Sequence, residues 1–138
     1  MTHSPMASLS EFHDAFGQKR FIEMNNQERE DALELRMRLI TEEFEEVATE
    51  LGFECHILPI SRRVERRDIR HLAKELADLL YVVYGTAEIL EIPLQDVFAQ
   101  VHANNMTKLG PDGKPIYRED GKFLKPENYE ALDPLTLF

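Results

Sequence analysis

The run Glu42-Glu43-Phe44-Glu45-Glu46 and the later pair Glu75 and Asp78 are the residues of this chain best suited to chemistry. Carboxylates are costly to bury without partners. Glu75 and Asp78 nevertheless interrupt the mainly apolar stretch from His71 to Tyr84, where a purely structural helix would carry Leu or Ala. Acids converging inside a helical bundle repel one another unless a multivalent cation sits between them, which points to magnesium and phosphate chemistry. At helical spacing Glu43 pairs with Glu46, Glu46 with Glu50, and Glu75 with Asp78. One such pair from each of two antiparallel helices makes an oxygen cage. Hard oxygen ligands suit Mg²⁺, with Mn²⁺ as its substitute. Two ions roughly 3.5–4 Å apart can clamp the attacking and leaving oxygens of an in-line displacement. A carboxylate outside the cage can orient or deprotonate the attacking water.

Other readings of these acids compete. A solvated helix face accounts for Glu42 to Glu46 taken alone, but the apolar surroundings of Glu75 and Asp78 leave them little solvent face. A di-iron bundle requires Glu-x-x-His on paired helices, and this chain has Glu75-x-x-Asp78 instead. His71 stands alone as a second-sphere candidate or an ordinary structural histidine.

The elements that must position these acids follow from periodicity and cap signals. Residues 1–7 read as a loose tail. A short helix is expected from Ser8 or Ser10, with Phe12 and Phe16 at i, i+4 spacing and Gly17 at its end. Asn25 or Asn26 caps a second helix over about 27–52. Its main apolar stripe is Leu33, Met37, Ile40, Phe44, Val47 and Leu51. A second seam, Leu35 and Leu39, continues into Glu42, Glu43, Glu46 and Glu50, whereas Glu45 falls on the surface. Residues 53–67, with Pro59 and the basic run from Arg62 to Arg67, suggest a loop or broken helix. Asp68 caps a third helix running to about Leu90. That helix is apolar on nearly every side, which predicts a central or interface position. Pro93 opens a fourth helix that extends to about Lys108. Beyond Gly110 the turn signals predict a small hairpin pairing 116–118 with 122–124, followed by an extended tail. The expected fold is an all-α helical bundle with a short C-terminal β-hairpin, as one domain over residues 1–138.

Composition narrows the partners. The 26 acidic residues against 16 Lys and Arg give a formal charge of −10, which argues against nucleic acid, since phosphate backbones need a basic surface. Cys55 is the single cysteine, so no intrachain disulfide or Cys-rich zinc site forms. The polar first ten residues lack the apolar core of a signal peptide, and no apolar run approaches a membrane span. A cytoplasmic protein without membrane contact is expected.

The pattern Glu42-Glu43-x-x-Glu46, 28 residues, then Glu75-x-x-Asp78 resembles the signature of the MazG-like all-α nucleoside triphosphate pyrophosphohydrolases. Ala77-Asp78-Leu79-Leu80-Tyr81-Val82 and Asn105-Met106-Thr107-Lys108 strengthen the resemblance, which runs from Phe12 to about Tyr129. Within that superfamily the chain looks most similar to the small MazG-like enzymes related to dimeric dUTPases. Leu35-Arg36, Val97 to His102 and Asp120 to Glu127 carry that finer likeness.

The resemblance implies cleavage between the α and β phosphates, releasing a nucleoside monophosphate and pyrophosphate. It implies Glu43, Glu46, Glu75 and Asp78 as Mg²⁺ ligands and Glu42 as the base that positions water, with Glu50 at most in the second sphere. Asn105 and Lys108 match an element that lies near the phosphates. An ammonium is a compact charge suited to a phosphate oxygen, although a lysine at a helix C-terminus also favours the dipole. Lys122 and Lys125 are further phosphate candidates, within the subunit or across a boundary. Phe12, Phe16, Gln18, Asn25, Tyr81 and Tyr84 are candidates for the base site or for ordinary packing. The resemblance favours dUTP, with dCTP, the purine deoxynucleotides and noncanonical triphosphates as alternatives. A homodimer or a dimer of dimers is expected. The rivals are phosphoribosyl-ATP pyrophosphohydrolase, which shares the superfamily, and a non-catalytic helical module that only binds a cation.

Overall fold

The computed structural model describes residues 4–57, 68–119 and 122–138. Its order is helix α1 (Pro5–Ala15), a 3-10 turn (Phe21–Glu23), helix α2 (Asn26–Glu50), helix α3 (Ile69–Ile89), helix α4 (Leu94–Met106), strands β1 (Ile116–Tyr117) and β2 (Phe123–Leu124), and a 3-10 turn (Pro134–Thr136). The all-α fold with its small hairpin is therefore observed. Two compact units make up the chain: Met1–Gln18 with Arg67–Phe138, and Lys19–Arg66. The basic run from Arg62 to Arg67, Pro59 and the Asp120-Gly121 turn lie outside the described residues.

In the first unit, α1 begins earlier than the sequence reading placed it. Ser4 is its cap, accepting from the Ala7 N–H at 3.3 Å, and Pro5 occupies the first turn. Proline is favoured there because its missing N–H has no helical partner to lose. Phe12 and Phe16 stack with centroids 4.2 Å apart, and Phe16 meets Phe123 of β2 at 5.2 Å. The hairpin is pinned to the same place, because the Tyr117 hydroxyl donates to the Phe16 carbonyl at 2.9 Å. Its strands pair antiparallel, Ile116 with Leu124 and Tyr117 with Phe123. Helix α1 also packs on α4, where His102 lies 3.2 Å from Glu11. The two Phe candidates thus belong to a ring cluster joining α1 to the hairpin.

In the second unit, α2 starts from a reciprocal cap. Asn25 accepts from the Glu28 N–H and Glu28 accepts from the Asn25 N–H, both at 2.9 Å. This satisfies two donors that a helix start leaves open. Lys19 reaches the same carboxylate at 2.7 Å and, with the Asn25 N–H, holds it below the usual carboxylate range. Glu45, expected on the surface, accepts from the Ile57 N–H at 2.8 Å and ties the stretch after α2 back to the helix.

Helices α1, α2 and α3 end alike. A residue at positive φ follows each cap, and the residue after it donates back five positions: Gln18 to His13 at 2.8 Å, Phe53 to Ala48 at 2.9 Å, Ile92 to Ala87 at 2.9 Å. This left-handed ending favours glycine. Gly17 and Gly52 fit it, but α3 uses Glu91, at φ 55°. Pro93 is the cap of α4, one residue before the position expected of it. The last residues are not wholly extended, because Asp133 caps the turn over Pro134–Thr136 by accepting from the Leu135 N–H. Among the described residues no helix is long and apolar enough to cross a membrane.

Candidate active site

Helix α2 carries four of the acids. At 3.6 residues per turn Glu42, Glu43, Glu46 and Glu50 fall within an arc of about 100°. All four are exposed. Glu45 lies outside that arc and is spent on Ile57, so position and partner both separate it from the others.

Helix α3 carries the remaining pair. Asp68 starts it, accepting from the Arg70 N–H at 2.7 Å and from the Arg70 guanidinium at 2.9 and 2.6 Å. That fork keeps the Asp68 carboxyl low and raises Arg70. Glu75 and Asp78 sit one turn apart on the same side. Lys74 sends its ammonium to both, 2.7 Å from Asp78 and 3.2 Å from Glu75, and Asp78 above all raises the Lys74 pKa. A cation already rests between the two acids. Lys74, Glu75 and Asp78 thus form an exposed ion-pair cluster on one side of α3. Within the described residues no group of three or more His, Cys, Asp or Glu side chains gathers to hold a metal. The expected cage needs α2 and α3 together, and these belong to different units. Each unit supplies its own acids.

The other candidates are spread over the caps, the ring cluster, α3 and the end of α4. Asn25 is occupied as the cap of α2, and Gln18 closes the end of α1 through its backbone. Phe12 and Phe16 are in the ring cluster. Tyr81 is 83% exposed and Tyr84 48%, so neither is enclosed as a base-stacking ring would be. The Lys122 carbonyl accepts from the Arg118 N–H at the hairpin. Asn105 ends α4 half-buried, its carbonyl accepting from the Lys108 N–H at 3.2 Å. The Lys108 and Lys125 ammonium groups lie 5.8 and 5.0 Å from the centroid of one ring, Tyr129.

Two participants escaped the sequence reading. Lys74 was legible as a partner of Asp78 at i, i+4 spacing. Tyr129 had no local signal, because its hydroxyl partner, Asn104 at 3.1 Å, is 25 residues away.

The phosphoribosyl-ATP pyrophosphohydrolase (PRA-PH) family matches residues 9–105, a stretch that contains every acid of α2 and α3 discussed above. The chain belongs to the PRA-PH family. It is accordingly an enzyme of the pyrophosphatase class, a hydrolase acting on phosphoric anhydrides. The substrate named by this family is the one the sequence resemblance ranked behind a triphosphate. A crystal structure of a candidate NTP pyrophosphohydrolase from Exiguobacterium sp. 255-15 shares the fold, with a TM-score of 0.55 and 20% identity over 95% of this chain and 90% of that one. No curated protein matches the chain. Lys108, Lys125 and Tyr129 lie beyond the stretch that the PRA-PH family matches.

Proposed function

We propose that the chain is a Mg²⁺-dependent nucleoside triphosphate pyrophosphohydrolase that converts a deoxynucleotide, dUTP before others, to its monophosphate and pyrophosphate. The observation that carries this reading is the Glu75–Asp78 pair, already clasping a cationic group, inside the stretch matched by a pyrophosphohydrolase family. Glu43 and Glu46 of α2, with Glu75 and Asp78 of α3, are the ligands in this proposal. Bound Mg²⁺ would offset the charge of the phosphate chain and acidify a water beside it. Glu42 takes the proton of the water that attacks the α-phosphorus. The bond from that phosphorus to the bridging oxygen breaks, and pyrophosphate leaves with the electron pair. Glu50 supports the ligands from one turn further on, and Asn105 and Lys108 meet the phosphates.

Assembly belongs to the same proposal. Every residue from His71 to Leu80 on α3 is exposed, and Leu80 and Val82 keep 55% and 62% of their surface. Exposed apolar surface of that extent is costly in water. It supports a homodimer or a dimer of dimers; a cytoplasmic setting is part of the same proposal.

The family match favours a second substrate, phosphoribosyl-ATP, and one assay separates the two. Pyrophosphate release is measured from dNTPs, NTPs and phosphoribosyl-ATP, with Mg²⁺ and with EDTA. Metal-dependent release from one preferred dNTP supports the proposal. Release from phosphoribosyl-ATP alone replaces the substrate. Release that survives EDTA removes the metal from the reading.

A further inference from the structure

Beyond the acids, the most unusual charge arrangement lies where the end of α4 meets the tail. Lys108 follows α4 directly, and Lys125 follows β2. Tyr129 is fixed between them by three bonds: its N–H donates to the Pro126 carbonyl at 3.0 Å, its hydroxyl to Asn104 Oδ1 at 3.1 Å, and Asn104 Nδ2 to the Glu130 carbonyl at 2.8 Å. The ring cannot swing away without breaking the Asn104 clamp. Both lysine ammonium groups lie within 6 Å of its centroid.

This pairing is unfavourable as it stands. Two like charges share one ring, and among the described residues neither ammonium has an ion-pair partner. Lys108 is partly buried, and that burial, followed by the nearby Lys125 charge, lowers its pKa. Cation–π attraction at such exposure is weak and offsets the repulsion only in part. The helix dipole accounts for Lys108 at the end of α4, but Lys125 is on no helix. A multivalent oxyanion spanning both groups would relieve the repulsion and add charge-assisted bonds.

We propose that Tyr129 is a positioning residue that gathers Lys108 and Lys125 into a two-ammonium site for the phosphate chain of the substrate. The site rests on the triphosphate reading above for its ligand and deepens it. It assigns Lys125 alongside Lys108 and gives the Tyr129 ring the task of gathering both. Lys108, Lys125 and Tyr129 follow the stretch shared with the family, and Asn104 lies at its end.

The test titrates inorganic pyrophosphate, without nucleotide, into the full chain and its variants, and measures KM and kcat on the preferred substrate. Lys125→Met is expected to weaken pyrophosphate binding about tenfold, the scale of one charge-assisted bond. Tyr129→Leu is expected to weaken it severalfold by releasing both lysines, and Tyr129→Phe, which keeps the ring, to restore most of the loss. KM should rise in the same order with kcat little changed, as for contacts made equally in ground and transition states. Equal affinity in wild type and Lys125→Met, or no pyrophosphate binding at all, overturns the site. Equal losses in Tyr129→Leu and Tyr129→Phe overturn the positioning role. If Tyr129→Leu does not fold by circular dichroism, Tyr129→Phe and Lys125→Met decide. Lysine-dependent pyrophosphate binding without turnover of any nucleotide would leave the site standing and remove the triphosphate reading. Turnover with KM indifferent to Lys125 would do the reverse.

Discussion

Replacing Glu91 by glycine should stabilise the protein. Glu91 follows the last turn of α3 at φ 55°, where the Ile92 N–H donates to Ala87 and the Glu91 N–H to Glu88 at 3.1 Å. A side chain in that left-handed conformation costs roughly 1–2 kcal/mol. Glycine avoids the clash but loses about 0.5–1 kcal/mol more backbone entropy on folding. The net gain from the backbone is therefore about 0.5–1 kcal/mol. A second term is electrostatic, since an acid at a helix C-terminus opposes the dipole by about 0.3–1 kcal/mol. Glu91→Gln removes only that term and serves as the control. For a chain of this length the backbone term alone raises Tm by about 2–4 °C. Melting followed by circular dichroism should rank Gly above Gln and Gln at or above wild type, with pyrophosphatase activity unchanged. A glycine variant no more stable than the glutamine variant would refute the reasoning. The strain would then be absent, or compensated by contacts of the glutamate side chain. The position matters for function because α3 carries Glu75 and Asp78, and residues 90–93 turn the chain directly into α4.

Further outcomes concern the acids and the caps. Glu43→Gln and Asp78→Asn should each abolish Mg²⁺-dependent turnover while leaving helicity intact, and unchanged rates in both would remove the metal assignment. Glu42→Gln should keep Mg²⁺ binding, read by calorimetry, yet lose most of the rate; loss of binding instead would make it a ligand. Lys74→Met should lower the Mg²⁺ concentration needed for half-maximal activity severalfold, because its ammonium rests on Asp78 and Glu75; a higher requirement would mean that Lys74 assists the ion. Glu28, held low by Lys19 and the Asn25 N–H, contributes stability above its unfolded-state pKa and loses it as pH falls through the depressed folded value. Urea denaturation should accordingly show Glu28→Gln weaker than wild type at neutral pH and equal to it in strong acid. A penalty independent of pH would assign the effect to packing.

What the sequence legibly contained was local. Asn25 with Glu28 three residues on, Asp68 ahead of an apolar run, and Gly17 and Gly52 after periodic stretches announce helix ends because cap bonds close within five residues. The acids at i, i+3 and i+4 could be placed on shared faces for the same reason. The start of α1 was equally local, in Ser4 followed by Pro5, and the polar composition around it hid the signal. Glu91 was not legible, since no residue type announces a non-glycine in the left-handed region. The tertiary structure alone decided the rest. Phe12 stacks on Phe16, and Phe16 meets Phe123 by its ring and Tyr117 by its carbonyl. Asn104 reached across 25 residues to hold Tyr129, and Lys108 met Lys125 on its ring. Periodicity reports which side of a helix a residue occupies, whereas contacts between distant segments depend on how turns and tails fold back, and no spacing along the chain encodes that distance.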